Sequence, residues 1–225
     1  MLKTMDGGAH EIFHERWYAE CQVNGFLTFP ETEKDWEEQK AWYAAQGLNY
    51  EELCKIDLEA RKADLLKYLP ASFHPYIHDG TLNSTFPSEE LRNMADQWNS
   101  AFEARSKALR DAYWSHYQAI QNALPRNVIR LAEKSLHDAK VASVERPSRE
   151  TFIMTLDCSG SFYDPSLLRL IFKGVINVQP AAIHAGSWWL YEEVYLTENG
   201  FEFHILFDQP LQEFTISAAD VDIEL

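Results

Sequence analysis

The hydrophobic period changes once along this chain, near residue 145, and that change restricts the folds open to it. Before it, apolar residues recur every three or four positions, the spacing of one helix face. After it they alternate, the spacing of a strand with one buried face. Helices first and strands after builds α+β rather than alternating α/β.

In the first part, Phe13, Trp17 and Cys21 stand four residues apart in a helix predicted over 11–22. Thr28 and Glu31 have capping-box spacing ahead of the stretch with Trp36, Trp42 and Tyr43. Asn49 is an N-cap with Glu52 at N3 and a Leu48–Leu53 staple, and that helix runs to Leu69, where Pro70 stops it. Residues 70–87, with three prolines and Gly80, read as a connector. Ser88 then caps a long helix whose stripe runs from Leu91 through Met94, Trp98, Phe102, Arg105, Leu109, Tyr113, His116 and Ile120 to Leu124. Pro125 ends it, and a shorter helix carries Ile129, Ala132, Leu136 and Ala139.

After Arg146-Pro147-Ser148 the alternating segments are 152–157, 188–197, 201–208, 212–217 and 220–224, with a continuous apolar run over 167–178 that reads as a central strand buried on both sides. They predict an antiparallel meander of about five strands. The expected organisation is a flexible extension over 1–10, a helical region over 11–145 and a sheet region over 146–225, packed as one unit.

Asn199-Gly200 is a hairpin signal. As a two-residue turn it places Leu196 opposite Phe203 and Val194 opposite Ile205, giving an apolar face with Leu190, Phe201 and Phe207. Glu192 falls on that face, opposite Phe207, and there must reach water at a sheet margin, find a cation or donors, or keep its proton. A basic group from the helical region would be such a partner. The other face carries Trp189, Tyr191, Glu193, Tyr195, Glu202 and His204. Aromatics interleaved with acids suit recognition of a basic protein partner, unless another element of the chain covers them.

Charge points the same way. The formal charge is −15, from 20 Lys+Arg and 35 Asp+Glu. Residues 1–150 hold 18 basic and 24 acidic side chains, and residues 151–225 hold 2 and 11. Such a balance disfavours nucleic acid, whose phosphates need a basic footprint. No apolar run approaches a membrane span, and the first residues lack the apolar core of a signal peptide, so a cytoplasmic protein is expected. Three widely spaced cysteines, Cys21, Cys54 and Cys158, make neither a disulfide framework nor a zinc motif. The first two read as small core residues.

Two His-Asp pairs could carry chemistry. His78-Asp79 lies in the connector and His137-Asp138 near the end of the last helix. With Glu192 as general base, they could hold a divalent metal for hydrolysis. The competing readings are structural: Asp79-Gly80-Thr81 is turn chemistry, and His137 complements a helix C-terminus. His74 and His78 are four apart, but Pro75 between them disfavours a mid-helix metal pair.

Four segments together resemble a known family: Phe13-His14-Glu15-Arg16-Trp17-Tyr18, His78-Asp79-Gly80-Thr81-Leu82-Asn83-Ser84, Ser135-Leu136-His137-Asp138-Ala139 and Trp189-Leu190-Tyr191-Glu192-Glu193. They resemble domain-of-unknown-function family 4085, over residues 12–224 in order. The resemblance implies a cytosolic protein of Gram-positive, spore-forming bacteria. It brings no activity and no catalytic residue.

The sequence therefore leads first to a non-catalytic, immunity-like interaction protein that masks a basic partner, without a cofactor. The rivals are a metal-dependent hydrolase using His78, Asp79, His137, Asp138 and Glu192, and a small-molecule binder.

Overall fold

A computed structural model describes residues 12–161, 163 and 166–225. The extension expected over 1–10 lies outside them. The chain divides into two compact units. The first is Arg16–Ala108; the second takes the described residues up to Glu15 together with Leu109–Leu225.

The first unit is helical, with α1 (Glu15–Phe26), α2 (Glu33–Ala45), α3 (Tyr50–Tyr68), the short α4 (His74–His78) and the beginning of α5 (Glu89–Ile120). The Asn49 side chain accepts the Glu52 N–H at 3.3 Å, as its sequence position requires. The capping box ahead of α2 is not Thr28 with Glu31 but Thr32 with Asp35, which bond reciprocally. Ser88 caps α5 by accepting the Leu91 N–H at 3.2 Å. Val23, Phe26, Leu58, Leu65, Phe73, Ile77, Leu82 and Leu91 fill the core. Cys21 and Cys54 remain half-buried outside it.

The second unit contains the end of α5, α6 (Arg126–Glu133) and one sheet of eight antiparallel strands, rather than about five. These are β1 (Lys140–Ser148), β2 (Thr151–Asp157), β3 (Leu167–Lys173), β4 (Asn177–Gln179), β5 (Trp188–Thr197), β6 (Gly200–Asp208), β7 (Gln212–Ala218) and β8 (Asp220–Glu224), in the order β4-β7-β6-β5-β1-β2-β3-β8. Two meanders, β1-β2-β3 and β5-β6-β7, meet where Lys140 pairs with Trp188. The switch to strand comes at Lys140, not after Ser148. β1 buries only Val141, so it carries no alternating pattern to betray it.

The run over 167–178 is not one doubly buried strand. β3 alternates between buried and half-buried residues and stops at Gly174, whose φ of +59° turns the chain. α6 ends at Glu133, so His137 and Asp138 stand in a turn beyond it and not in its last turn. Phe152, Leu170, Phe172, Phe201, Phe203, Phe207, Phe214 and Ile216 dominate the core, with Val128 and Leu131 of α6.

Candidate functional site on the sheet

The β5–β6 hairpin turns through Glu198-Asn199, and Gly200 belongs to β6, paired with Thr197. Leu196 therefore faces Phe201 and Val194 faces Phe203, two residues from the expected register. A shift of two keeps every side chain on its face. Glycine is demanded inside the strand because a Cβ at Gly200 would lie 2.2 Å from the Ala218 carbonyl oxygen.

A bulge at Leu190 separates the Trp189–Phe207 pair from the Tyr191–Leu206 pair. It rotates Trp189 off the outer face and into the core, where it packs edge-on against Phe207 and is 1% exposed. Glu192 stays on the core face, opposite Ile205 rather than Phe207. Its partner is the Trp189 indole N–H, at 2.6 Å, and not a basic side chain. The residue keeps some accessible surface, yet desolvation pushes its carboxyl up to about 7, only partly opposed by that bond.

Glu193 points the other way and is 1% exposed. One carboxylate oxygen accepts the backbone N–H groups of Ile12 and Phe13, and the other accepts the Tyr195 hydroxyl. Burial pushes this carboxyl up while those donors and His204 pull it down. Residues 12–15 thus lie over the outer face. Phe13 stacks on Tyr191 at 5.3 Å, and Glu15 N–H donates to Glu213 at 2.9 Å. The end of α5 adds a second cover. Tyr113 Oη accepts the Val194 N–H at 3.1 Å, and His116 lies 5.2 Å from the Tyr195 ring. Between this segment and the sheet, Phe13, His14, Glu193, His204 and Glu213 line a space of about 20 Å³, room for one water.

Next along the face, Glu202 accepts from Ser217 Oγ and is bonded to His204 Nε2 at 2.7 Å. The imidazole first, then the hydroxyl, hold its carboxyl below the usual range, against some desolvation. Of the predicted recognition residues, Trp189 and Glu193 are thus out of reach of a partner, and Tyr191, Tyr195, Glu202 and His204 are half-buried.

The proposed metal ligands separate by unit. His78 and Asp79 lie in the first, where Asp79 accepts the Thr81 N–H at 3.0 Å in a local turn. His137, Asp138 and Glu192 lie in the second, with His137 Nδ1 3.1 Å from Asp138. Among the described residues, no three His, Cys, Asp or Glu side chains are grouped to hold a metal ion. The buried Cys158 thiol is pushed up by desolvation, which keeps it protonated.

Sequence reading missed two features. One is the tie from Ile12 and Phe13 to Glu193. Backbone donors leave no mark in sequence, although Phe13 announces an apolar contact. The other is a cleft of about 240 Å³ lined by Asp138, Lys140, Asp157, Ser159, Gly160 and Trp188. Lys140 stands opposite both Asp157 and Trp188 and lays its ammonium 4.4 Å from the indole. Hidden β1 concealed that row.

A family model described as a protein of unknown function, DUF4085, matches residues 12–218. The chain belongs to this family. No curated protein and no solved structure matches it. The tied segment, both His-Asp pairs and the bulged strand all fall within the span of the DUF4085 match. No helix among the described residues is long and apolar enough to cross a membrane.

Proposed function

We propose that this DUF4085 protein is a non-catalytic, immunity-like interaction protein of the cytoplasm that masks a basic protein partner. One observation carries the reading. From Gly174 to Leu225 the chain has nine Asp and Glu and neither Lys nor Arg. That stretch supplies β4, β5, β6, β7 and β8, with Glu198, Glu213, Asp220 and Glu224 exposed. A surface of one sign steers a partner of the other and speeds its association. Tyr191 and Tyr195 add half-buried aromatic area beside Glu202.

The test is affinity capture from the native host at low salt, with the wild type and a Glu198→Gln/Glu202→Gln variant whose fold is checked by circular dichroism. The expected result is a strongly basic protein retained by the wild type, released by salt and weakened in the variant. Equal retention by both proteins refutes the reading.

A small-molecule binder is the second reading, supported by the Asp138, Lys140, Asp157 and Trp188 cleft. Its acid, base and indole suit a small zwitterion with a flat apolar body. Thermal shift against free aromatic amino acids tests it, and no shift for wild type over Trp188→Ala removes it.

A further inference from the structure

The hairpin of α2 and α3, in the first unit, leaves its far half unpacked. From Glu37 to Asp57 no residue is buried. The two helices are held there by a Tyr43–Tyr50 stack at 4.8 Å and by Lys40, which bridges Glu37 at 2.8 Å and Glu51 at 3.4 Å. Large apolar side chains nevertheless face water. Trp42 is 60% exposed, Ile56 59% and Leu48 45%. Exposed apolar groups on a hairpin that buries little of itself mark an interaction surface.

A groove of about 480 Å³ lies on the same hairpin, lined by Ala41, Ala44 and Leu48, with Glu37, Glu51 and the Lys40 that bridges them among its polar members. The small side chains allow close approach, and Trp42 beside Ala41 is the residue type that anchors interfaces. Charge selects the occupant. Residues 31–57 carry eight acidic and three basic side chains, on a chain of net −15. A second copy would bring the same negative surface against it, and like charges across an interface are costly. A cationic helix meets both the apolar groove and its acidic surroundings.

We propose that the α2–α3 hairpin docks a basic amphipathic helix of another protein. The apolar side of that helix enters the groove over Ala41, Ala44 and Leu48, and its Lys and Arg side chains meet the acidic surroundings of residues 31–57, beyond the two carboxylates that Lys40 already bridges. This surface lies within residues 31–57 and does not rest on the acidic sheet.

The test is fluorescence anisotropy with the full chain and two synthetic amphipathic helices of one pattern, a Leu/Lys probe and a Leu/Glu probe. Trp42→Ala and Ala44→Arg alter exposed positions, and circular dichroism confirms that they fold. The Leu/Lys probe is expected to bind and the Leu/Glu probe not to. Each variant should weaken binding about tenfold, while Glu198→Gln/Glu202→Gln on the sheet leaves it unchanged. Binding indifferent to Trp42→Ala and Ala44→Arg overturns the proposal, since the attraction is then charge without docking. Loss in the sheet variant alone also overturns it and credits the sheet instead. A wild-type dimer in sedimentation that Ala44→Arg dissociates shows a second copy as the occupant and overturns it as well.

Discussion

The indole N–H of Trp189 donates to Glu192 Oε2 at 2.6 Å, because the bulge at Leu190 brings Trp189 to the core face that Glu192 already occupies. One neutral donor does not compensate a desolvated carboxylate. The folded chain holds the Glu192 proton up to about 7, whereas the unfolded chain releases it near 4.5. Between those values the folded state binds the extra proton, so stability falls as pH rises through that window and is level above it. The cost at alkaline pH is about 2–3 kcal/mol, allowing for the solvent contact that remains. Glu192→Gln keeps an acceptor for Trp189 and carries no charge. Urea unfolding should find it more stable than wild type at about pH 8, with the gap closing toward about pH 5. A gap independent of pH refutes this account.

Glu193 has the opposite role: it holds three donors rather than lacking them. Glu193→Ala strands the Ile12 and Phe13 N–H groups and the Tyr195 hydroxyl, at a cost of about 2–4 kcal/mol. Hydrogen exchange should show faster exchange at the Ile12 and Phe13 amides, and Glu193→Gln, which keeps an acceptor, should lie between. Unchanged protection of both amides in Glu193→Ala would mean the segment is held by the Phe13–Tyr191 stack alone.

What was legible in the sequence follows from where the signal is local. Asn49 and Ser88 act within one turn of helix and stand where the sequence puts them, whereas the Leu91 stripe holds only as far as Phe102: beyond it Leu109 is 43% exposed and Ser106 and Tyr117 are buried instead. Alternation of apolar and polar side chains revealed β2, β5, β6, β7 and β8, although parts of β2, β5, β6 and β7 are buried on both faces. β1 buries one residue and is held by backbone bonds to β5 and β2, which sequence does not display. A turn displaced by two residues leaves the faces of β6 as alternation predicts, while Trp189 changes face because a bulge shifts parity without any glycine or proline to signal it. The half-burial of Tyr191 and Tyr195 depends on residues 12–15 and on Tyr113 and His116, far away in the chain.

Two glycines with positive φ separate backbone freedom from space. At Gly47, φ is +76° and a Cβ would meet nothing within 4 Å. At Gly200, φ is +142° and a Cβ would fall 2.2 Å from Ala218 O and 2.6 Å from Ala219 Cα, both backbone atoms. Gly47→Ala should cost about 1 kcal/mol, the conformational penalty alone. Gly200→Ala should cost about 3 kcal/mol or more, because the link between β7 and β8 must move. Thermal unfolding of both variants checks the order. A Gly200→Ala protein as stable as Gly47→Ala contradicts the close approach of Ala218 and Ala219 to Gly200.

Glu202 gives a pH dependence opposite to that of Glu192. His204 Nε2 at 2.7 Å and Ser217 Oγ hold its carboxyl below the usual value of 4.5. A depressed carboxyl contributes stability above the unfolded value and loses it as pH falls through the folded one. Glu202→Gln should therefore be less stable than wild type near neutrality by about 1 kcal/mol, with the difference vanishing in acid. The two substitutions thus diverge in sign: relative to wild type at about pH 8, Glu192→Gln is more stable and Glu202→Gln less stable, and both differences close toward acid. Carbon-13 titration of the Glu202 carboxyl supplies the direct check. His204→Asn should move its midpoint upward, because the imidazole that bonds the carboxylate is then gone. An unmoved midpoint would transfer the effect to Ser217, and Ser217→Ala would then have to produce the shift.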